Sequence, residues 1–242
     1  AGGRSLLPAT WAPGETLTWG AISARAPARP SCLPLFQHDL GDVARFVALG
    51  GSEPNTALAF SPDGAWLAVG SHRGELLILD AFTGAVRARR QLAESLVRAV
   101  AWSRDGETVY AGEQSPDGLL HALDPATLEP RFTLRSADEL GSSPPPAKTE
   151  IYGLYTLPGI YTILPLADGG VLVAGSHSWT DEAGRHRNQS RVWRLDAAGA
   201  VRARFPAEAP AEATLIFPRV DDAERRLVVP VLRSADAPPT PE

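Results

Sequence analysis

The chain has 242 residues, of which 44% are hydrophobic and 21% charged, a composition typical of a globular protein with a substantial core. Its net charge of −5 argues against nucleic-acid binding, which normally requires a basic stripe on the surface. Cys32 is the only cysteine, which excludes an intrachain disulfide and a cysteine-based zinc cluster. No apolar run approaches the ~18 residues of a membrane-spanning helix.

The basic residues are almost all arginine, since Lys148 is the only lysine among 23 Lys and Arg residues. Together with the many alanine and proline residues, this bias indicates a GC-rich bacterial genome. The chain begins at Ala1 and contains no methionine, which fits either removal of a signal peptide or a fragment boundary. The compartment therefore stays open, with an exported bacterial protein as the first alternative.

The first predicted elements lie within residues 1–49. Residues 1–30 form an N-terminal extension of small residues and prolines around one strand candidate, Thr16–Ser23. Residues 31–49 fit the second half of a four-stranded unit, with Leu33–Phe36 as its third strand and Val43–Leu49 as its fourth.

Residues 56–90 predict a complete unit of four short strands. The Asp63-Gly64 pair is typical of a tight turn between the first two strands. Strand Trp66–Gly70 is too continuously apolar to have one face in water. The fourth strand, Ala85–Arg90, alternates arginine with small apolar residues, as is typical of a solvated edge strand.

The same order of strands and turns recurs in residues 97–135. Asp105 and Gly112 follow Asp63 and Gly70 at a distance of 42 residues, within the range of about 40–45 residues for a four-stranded blade. The chain continues with a looser copy at 150–205, a partial copy at 214–232 and a Pro-rich tail at 235–242. Because one such sheet cannot bury both faces alone, the copies are expected to pack on one another.

The repeats resemble a known family. AFSPDGAWLAVGS…LLILD and AWSRDGETVYAG…LHALD resemble bacterial WD40-like and YVTN-type β-propeller repeats, and VWRLD at 192–196 is similar to the third-strand motif of WD40 blades. The resemblance covers roughly residues 43–232, although the Trp-Asp dipeptide and the Gly-His pair of the fuller WD40 signature are absent.

The resemblance implies an all-β fold, a β-propeller of four-stranded antiparallel blades over residues 31–234. Four to five blades are visible, and the first and last are incomplete. Two alternatives explain this: the end strands pair to close a ring of four blades, or the chain is part of a longer propeller, such as a seven-bladed ring. We favour the second alternative, because four-bladed rings are uncommon and an open ring would leave unpaired edges.

Two long segments exceed the tight turns that a minimal blade needs, Ser136–Gly159 and Ser176–Arg191. Both are expected on one rim of the propeller, where long loops carry binding residues. Aromatic and arginine side chains are the usual interface anchors. The candidate partner-binding residues are Tyr152, Tyr155, Trp179, Asp181, Arg185, His186 and Arg187. The alternative is a solvated excursion without a binding role.

The histidines and the recurrent aspartates favour structural roles. His72 and His177 both follow Gly-Ser at the end of a second strand, so an inherited structural role is favoured for them. His177 and His186 match no zinc spacing, and we expect no metal. The recurrent aspartates should accept hydrogen bonds from turn amides; they are Asp63, Asp80, Asp105, Asp124, Asp168 and Asp196.

An enzymatic function is less favoured. The chain has no nucleophile elbow, phosphate loop or calcium loop. Asp80, Thr83 and Gly84 match part of the docking motif of quinoprotein dehydrogenases, but Ile78 and Ala88 replace its Ala and Trp. We therefore expect no cofactor. The first hypothesis is a non-catalytic interaction module or scaffold subunit that binds a protein partner. The alternative is a quinoprotein-like propeller enzyme or its cofactor-free relative.

Overall fold

The described part of this computed structural model comprises residues 55–141, 157–181, 183–215, 217–221, 223–224 and 226–231, without the side chains of Asn55, Thr56, Thr180 and His186, and the backbone of six short strands before residue 55. The chain divides into two compact units, Ala1–Ala111 with Leu123–Glu129, and Gly112–Ala122 with Pro130–Glu242.

The six early strands form three antiparallel pairs. They are β1 (Ser5–Leu6) with β4 (Ala21–Ile22), β2 (Thr10–Trp11) with β3 (Leu17–Thr18), and β5 (Cys32–Phe36) with β6 (Val43–Ala48). The prediction of one strand at Thr16–Ser23 was wrong, because β3 and β4 divide this stretch and pair with different strands. The predicted half unit at 31–49 corresponds to the antiparallel ladder of β5 and β6.

The first complete blade confirms the four predicted strands. They are β7 (Asn55–Phe60), β8 (Trp66–Ser71), β9 (Glu75–Asp80) and β10 (Val86–Gln91), paired in the order β10-β9-β8-β7. Five of the six residues of β8 are buried, which explains its continuous apolar sequence. The outer strand β10 is mostly exposed and carries the arginines.

The second blade has the same strand order. It contains β11 (Leu96–Trp102), β12 (Val109–Gln114), β13 (Leu119–Leu123) and β14 (Pro130–Arg135), followed by the short helix α1 (Ala137–Leu140). Strands β12 and β13 each contain residues of both compact units, since the boundary falls after Ala111 in β12 and after Ala122 in β13. The strands again confirm the sequence prediction, whereas α1 was not predicted.

The third blade contains β15 (Gly159–Pro165), β16 (Val171–Thr180), β17 (His186–Leu195) and β18 (Val201–Phe205), paired in chain order. The short pair β19 (Arg219–Val220) and β20 (Leu227–Val228) follows. We expected strands at Thr214–Phe217 and Arg226–Leu232; the first is displaced to β19, and the second contains β20.

The prediction that Ser176–Arg191 is a loop was wrong. The ladder of β16 and β17 continues without interruption from Val171 paired with Leu195 to Thr180 paired with His186. Small hydroxyl and amide side chains face one side of this hairpin. The segment is therefore polar although its backbone remains within the sheet. The length of the segment, in excess of a tight turn, predicts a loop, whereas the structure has a two-stranded ladder there.

Close contacts between strands explain why Gly70 and Gly112 recur at the same position of the first two complete blades. A Cβ atom on Gly70 would lie 2.7 Å from Val97 Cγ1, at the start of β11. Within the second unit, a Cβ on Gly112 would lie 2.6 Å from Ile160 Cβ on β15. Each glycine thus makes room for the first strand of the following blade, a use of glycine that needs no positive φ.

Each unit contains its own apolar core. In the first unit, one cluster comprises Ala68, Leu76, Ile78, Val97, Trp102, Val109, Ala111, Leu123 and Leu128. The indole N–H of Trp102 in this cluster donates to the carbonyl of Ala59 over 3.0 Å. In the second unit, a cluster comprises Leu166, Leu172, Ala174, Val192 and Leu215.

The recurrent aspartates accept turn hydrogen bonds, as expected. Asp80 Oδ1 accepts from the amides of Phe82 and Thr83, and Asp124 accepts from the corresponding turn in the next blade. The amide of Ala200 is the main cause that lowers the pKa of Asp196 below its ordinary range. No helix in the described ranges is long and apolar enough to cross a membrane.

Candidate functional site

The distal half of the β16–β17 hairpin extends past its neighbouring strands. The ladder between β15 and β16 ends where Gly159 pairs with Ser176, and that between β17 and β18 begins at Val192. Residues 177–180 and 186–189 therefore form a two-stranded extension. At ~3.3 Å per residue, four residues of strand reach about 13 Å.

Asp181 organises the turn at the tip of this hairpin. Its Oδ1 accepts from the amides of Ala183 and Arg185, and its Oδ2 lies 3.0 Å from Arg185 Nε. The Arg185 amide is the main cause that lowers the pKa of Asp181, and the guanidinium adds to it. The side chain of Arg185 remains 70% exposed. Asp181 thus shapes the tip, and Arg185 presents a cation there.

One side of the hairpin carries aromatic and cationic groups. Trp179 pairs in register with Arg187, and its ring lies 4.9 Å from that of His177, tilted by 35°. Arg187 Nη2 lies 2.7 Å from Glu212 Oε1. Trp179 and Arg187 are both half-buried, so these contacts hold them in place while part of each surface faces solvent.

Helix α1 joins the start of the first predicted segment to the base of the hairpin. Nδ1 of buried His177 donates to the carbonyl of Leu140 over 3.0 Å. Glu139 hydrogen bonds with buried Arg191, and also with Arg204 over 2.9 Å. The structure therefore brings residues 137–140 of Ser136–Gly159 against Ser176–Arg191. Tyr152 and Tyr155 lie outside the described residues, as does the side chain of His186.

Glu139 of α1 forms ion pairs with two arginines at the sheet end of the β16–β17 hairpin. Burial opposes its ionisation, but the hydrogen bonds from Arg191 and Arg204 outweigh burial and leave the pKa of Glu139 below its ordinary value of 4.5. The Arg191 side chain is only 5% exposed. The carboxylate therefore neutralises a buried guanidinium that would otherwise be costly.

The other side of the hairpin is structural. Asn188 Oδ1 accepts from Ser176 Oγ over 2.8 Å and from Ser178 Oγ over 3.2 Å. Asn188 Nδ2 donates to Thr214 Oγ1, which joins the hairpin to the segment that follows β18. The backbone of Ser190 forms a bridge with Ala211. These contacts leave the Trp179 side as the candidate binding surface.

Sequence reasoning missed a buried polar cluster in the second blade. Ser115 Oγ donates to Glu113 Oε2 over 2.8 Å, and His121 Nε2 lies 2.6 Å from Glu113 Oε1. The serine hydroxyl donates to the glutamate, which also holds the histidine, so this arrangement differs from a serine that donates to a histidine base. One signal was available: in the aligned third strands, His121 takes the place of buried Leu77.

No group of three or more His, Cys, Asp or Glu side chains is arranged to hold a metal within the described ranges. The motif shared with quinoprotein dehydrogenases forms a turn, where Asp80 binds the backbone amides of Phe82 and Thr83, and Gly84 adopts a φ of 71°.

The comparisons with known proteins agree on the fold. A family model described as the WD40 domain of anaphase-promoting complex subunit 4 matches residues 48–105. The chain is similar to BamB from Moraxella catarrhalis, with 19% identity and a TM-score of 0.56, over 94% of this chain and 58% of that chain. No curated protein shows significant sequence similarity.

Two further solved structures are similar. The WD40 domain of Neurospora crassa Pan2 has 11% identity and a TM-score of 0.62, over 93% of this chain and 58% of that chain. A chain of a mitotic checkpoint complex has 16% identity and a TM-score of 0.60, over 96% and 64%. The chain thus spans about three fifths of these structures. At these identities the likeness shows the fold, a WD40-type β-propeller, while the YVTN type and the bacterial origin stay predictions.

Proposed function

We propose that this protein is a non-catalytic interaction module that binds a protein partner through the Trp179 side of the β16–β17 hairpin. The observation that carries the proposal is the two-stranded extension of this hairpin, which presents a half-buried aromatic ring beside arginines. Trp and Arg are enriched among the residues that dominate interface energies.

The conformation of the hairpin is fixed before a partner binds. An isolated two-stranded hairpin is marginally stable in water, but this one is tied to α1 through His177 and to the later chain through Asn188 and Thr214. A partner would therefore meet a preorganised surface and lose less conformational entropy on binding.

The charges and aromatic ring at the tip indicate how the surface would bind. Trp179 can enter an apolar pocket of the partner, while Arg185, which is 70% exposed, can pair with a carboxylate at the rim. The WD40 scaffold of the similar Pan2 and mitotic checkpoint structures supports such a role without identifying the partner.

The test is affinity purification from the native source with purified wild type and variants. We expect one partner at fixed stoichiometry with wild type, and its loss with Trp179→Ala and with Arg185→Ala. The control is Phe82→Ala, which removes an aromatic side chain that is 75% exposed in a turn of the first blade. Thermal unfolding should be unchanged for Arg185→Ala and for the control.

The proposal is wrong if Trp179→Ala and Arg185→Ala both retain the partner while they remain folded. It is also wrong if the purified protein is a monomer with a bound small molecule. Loss of the partner with Phe82→Ala alone would move the binding surface to the first blade.

A further inference from the structure

Most of the exposed apolar side chains of the described chain are close together in sequence. Five of the seven large hydrophobic residues exposed in the described ranges lie between residues 205 and 231. They are Phe205, Phe217, Leu227, Val228 and Val231, with exposed fractions of 37–65%. Scattered exposed apolar residues need no explanation, whereas exposed apolar residues that lie together in space mark an interaction surface.

Two of these residues, Phe205 and Leu227, line a groove in the second unit. It has a volume of about 240 Å³ and is lined by residues of β17, β18 and the β19–β20 pair. Leu172 and Val192 of the buried core form part of its lining, together with the half-exposed Phe205 and Leu227. Drug-sized ligands occupy about 300–1,000 Å³, so this groove fits one or two large side chains and not a small-molecule substrate.

The lining of the groove is mostly apolar, and its charged residues are mainly cationic. Three arginines line it, Arg194, Arg204 and Arg226, against one carboxylate, Glu224. Glu224 already accepts from the amide of Ala167 through both oxygens, over 3.1 and 2.9 Å. The groove therefore favours an apolar side chain flanked by carboxylates.

The arginines retain hydrogen-bonding capacity. Arg194 binds Asp168 through Nη2, and Arg204 binds Glu139 through Nε. Their side chains are 45% and 40% exposed. A guanidinium has five N–H donors, so each arginine can bind a further carboxylate without losing its present partner.

Strand β18 supplies a free edge beside the groove. It is the last strand in the order of its sheet among the described residues, and Ala203, Arg204 and Phe205 of this strand line the groove. An edge strand offers main-chain donors and acceptors to an added strand. Exposed Arg202 and Arg204 oppose a basic added strand and favour an acidic one.

We propose that this groove binds an extended acidic segment of a partner protein, which adds as a strand to the free edge of β18 and inserts a large apolar side chain between Phe205 and Leu227. The proposal is independent of the hairpin, since none of the lining residues belongs to its distal half. It assigns a second, peptide-binding surface to the third blade.

The test uses a phage-displayed library of random twelve-residue peptides, panned against the purified full chain. We expect enriched peptides that carry an aromatic or aliphatic residue between Asp or Glu residues. A synthetic peptide of the most enriched sequence should bind about tenfold more weakly to Arg226→Glu and to Leu227→Ser. Arg226→Gln serves as the second variant if charge reversal disturbs folding, and Phe82→Ser is the control.

Four results would overturn the proposal. Enrichment of basic or uncharged peptides would contradict the charge argument. Equal binding by wild type and both groove variants would place the peptide elsewhere. If sedimentation experiments show a dimer, and Leu227→Ser abolishes it, the groove binds a second copy of this chain. If no peptide is enriched and the groove amides are protected from hydrogen exchange, a segment of the same chain occupies the groove.

Discussion

Glu113 is a buried carboxylate with a donor on each oxygen. Ser115 occupies Oε2 and His121 occupies Oε1, and all three side chains are nearly inaccessible to solvent. The amide of Gly118 donates in turn to Ser115 Oγ over 3.0 Å. Glu113 therefore connects the ends of β12 and β13 to the turn between them, and its loss would leave several buried polar groups unsatisfied.

We predict that Glu113→Ala lowers the free energy of unfolding by about 2–4 kcal/mol, because each orphaned buried group costs about 1–3 kcal/mol. Glu113→Gln keeps one acceptor and should have an intermediate effect. Urea denaturation followed by fluorescence measures both. Glu107→Ala, which changes an exposed residue of the preceding turn, is the control. A loss below about 0.5 kcal/mol for Glu113→Ala would contradict the network.

Some single residues could be predicted from sequence and others could not. The turn aspartates could, because Asp63 and its partner Ser61 are two positions apart and the motif repeats in the next blade. The hydrogen bond from Ser61 is also the main cause that lowers the pKa of Asp63. The partner of His121 could not be predicted, because a histidine at a core position indicates only that some hydrogen-bond acceptor lies nearby.

At the scale of elements, the third blade shows how composition misleads. The residues of the β16–β17 hairpin alternate between a side that carries Ser176, Ser178 and Asn188 and a side that carries His177, Trp179 and Arg187, and neither side is continuously apolar. Strand prediction depends on apolar alternation, which this hairpin lacks. Of the two predicted rim segments, Ser176–Arg191 is a hairpin, and the described start of Ser136–Gly159 is a helix.

Glu139 makes the stability of this region dependent on pH. Its pKa in the folded protein lies below its ordinary value of 4.5, so its ionisation stabilises the fold at pH values above 4.5. This stabilisation is lost as the pH falls through the lower folded pKa. Glu139→Gln removes the ionised form at every pH.

We predict that Glu139→Gln lowers the free energy of unfolding by about 1.5–3 kcal/mol at pH 7, the range for hydrogen bonds to charged groups. The difference from wild type should shrink as the pH falls below 4.5. Urea denaturation across a pH series measures it. Asp138→Asn, on the same helix with a side chain that is 63% exposed, should have little effect. A difference that is independent of pH would refute the role of the ion pairs.

At the scale of the whole molecule, the complete blades share one pattern of burial. The second strands β8 and β12 are almost entirely buried, whereas the outer strands β10, β14 and β18 are mostly exposed and rich in arginine. Outer strands that carry the same positive charge hinder edge-to-edge pairing between copies of this chain. Many of these arginines are paired within their own unit, as Arg135 is with Asp117 and Asp138.

This pattern predicts a gradient of protection from hydrogen exchange. Peptides from β8 and β12 should exchange their amides more slowly than peptides from β10, β14 and β18, because opening a buried strand exposes more apolar surface. Hydrogen exchange followed by mass spectrometry measures it across all three blades in one experiment. Equal protection of inner and outer strands would show that burial does not control local opening here.

The sequence by itself determined the four-stranded repeat, the positions of its turns and the all-β class, because turn residues and strand patterns act over a few neighbouring positions. Only the tertiary structure decided that residues 176–191 continue a ladder, that Glu139 pairs with arginines 52 and 65 positions away, and that β17, β18 and the β19–β20 pair line one groove. Those outcomes depend on which distant side chains become neighbours on folding, and a linear pattern of hydrophobic and polar residues does not contain that information.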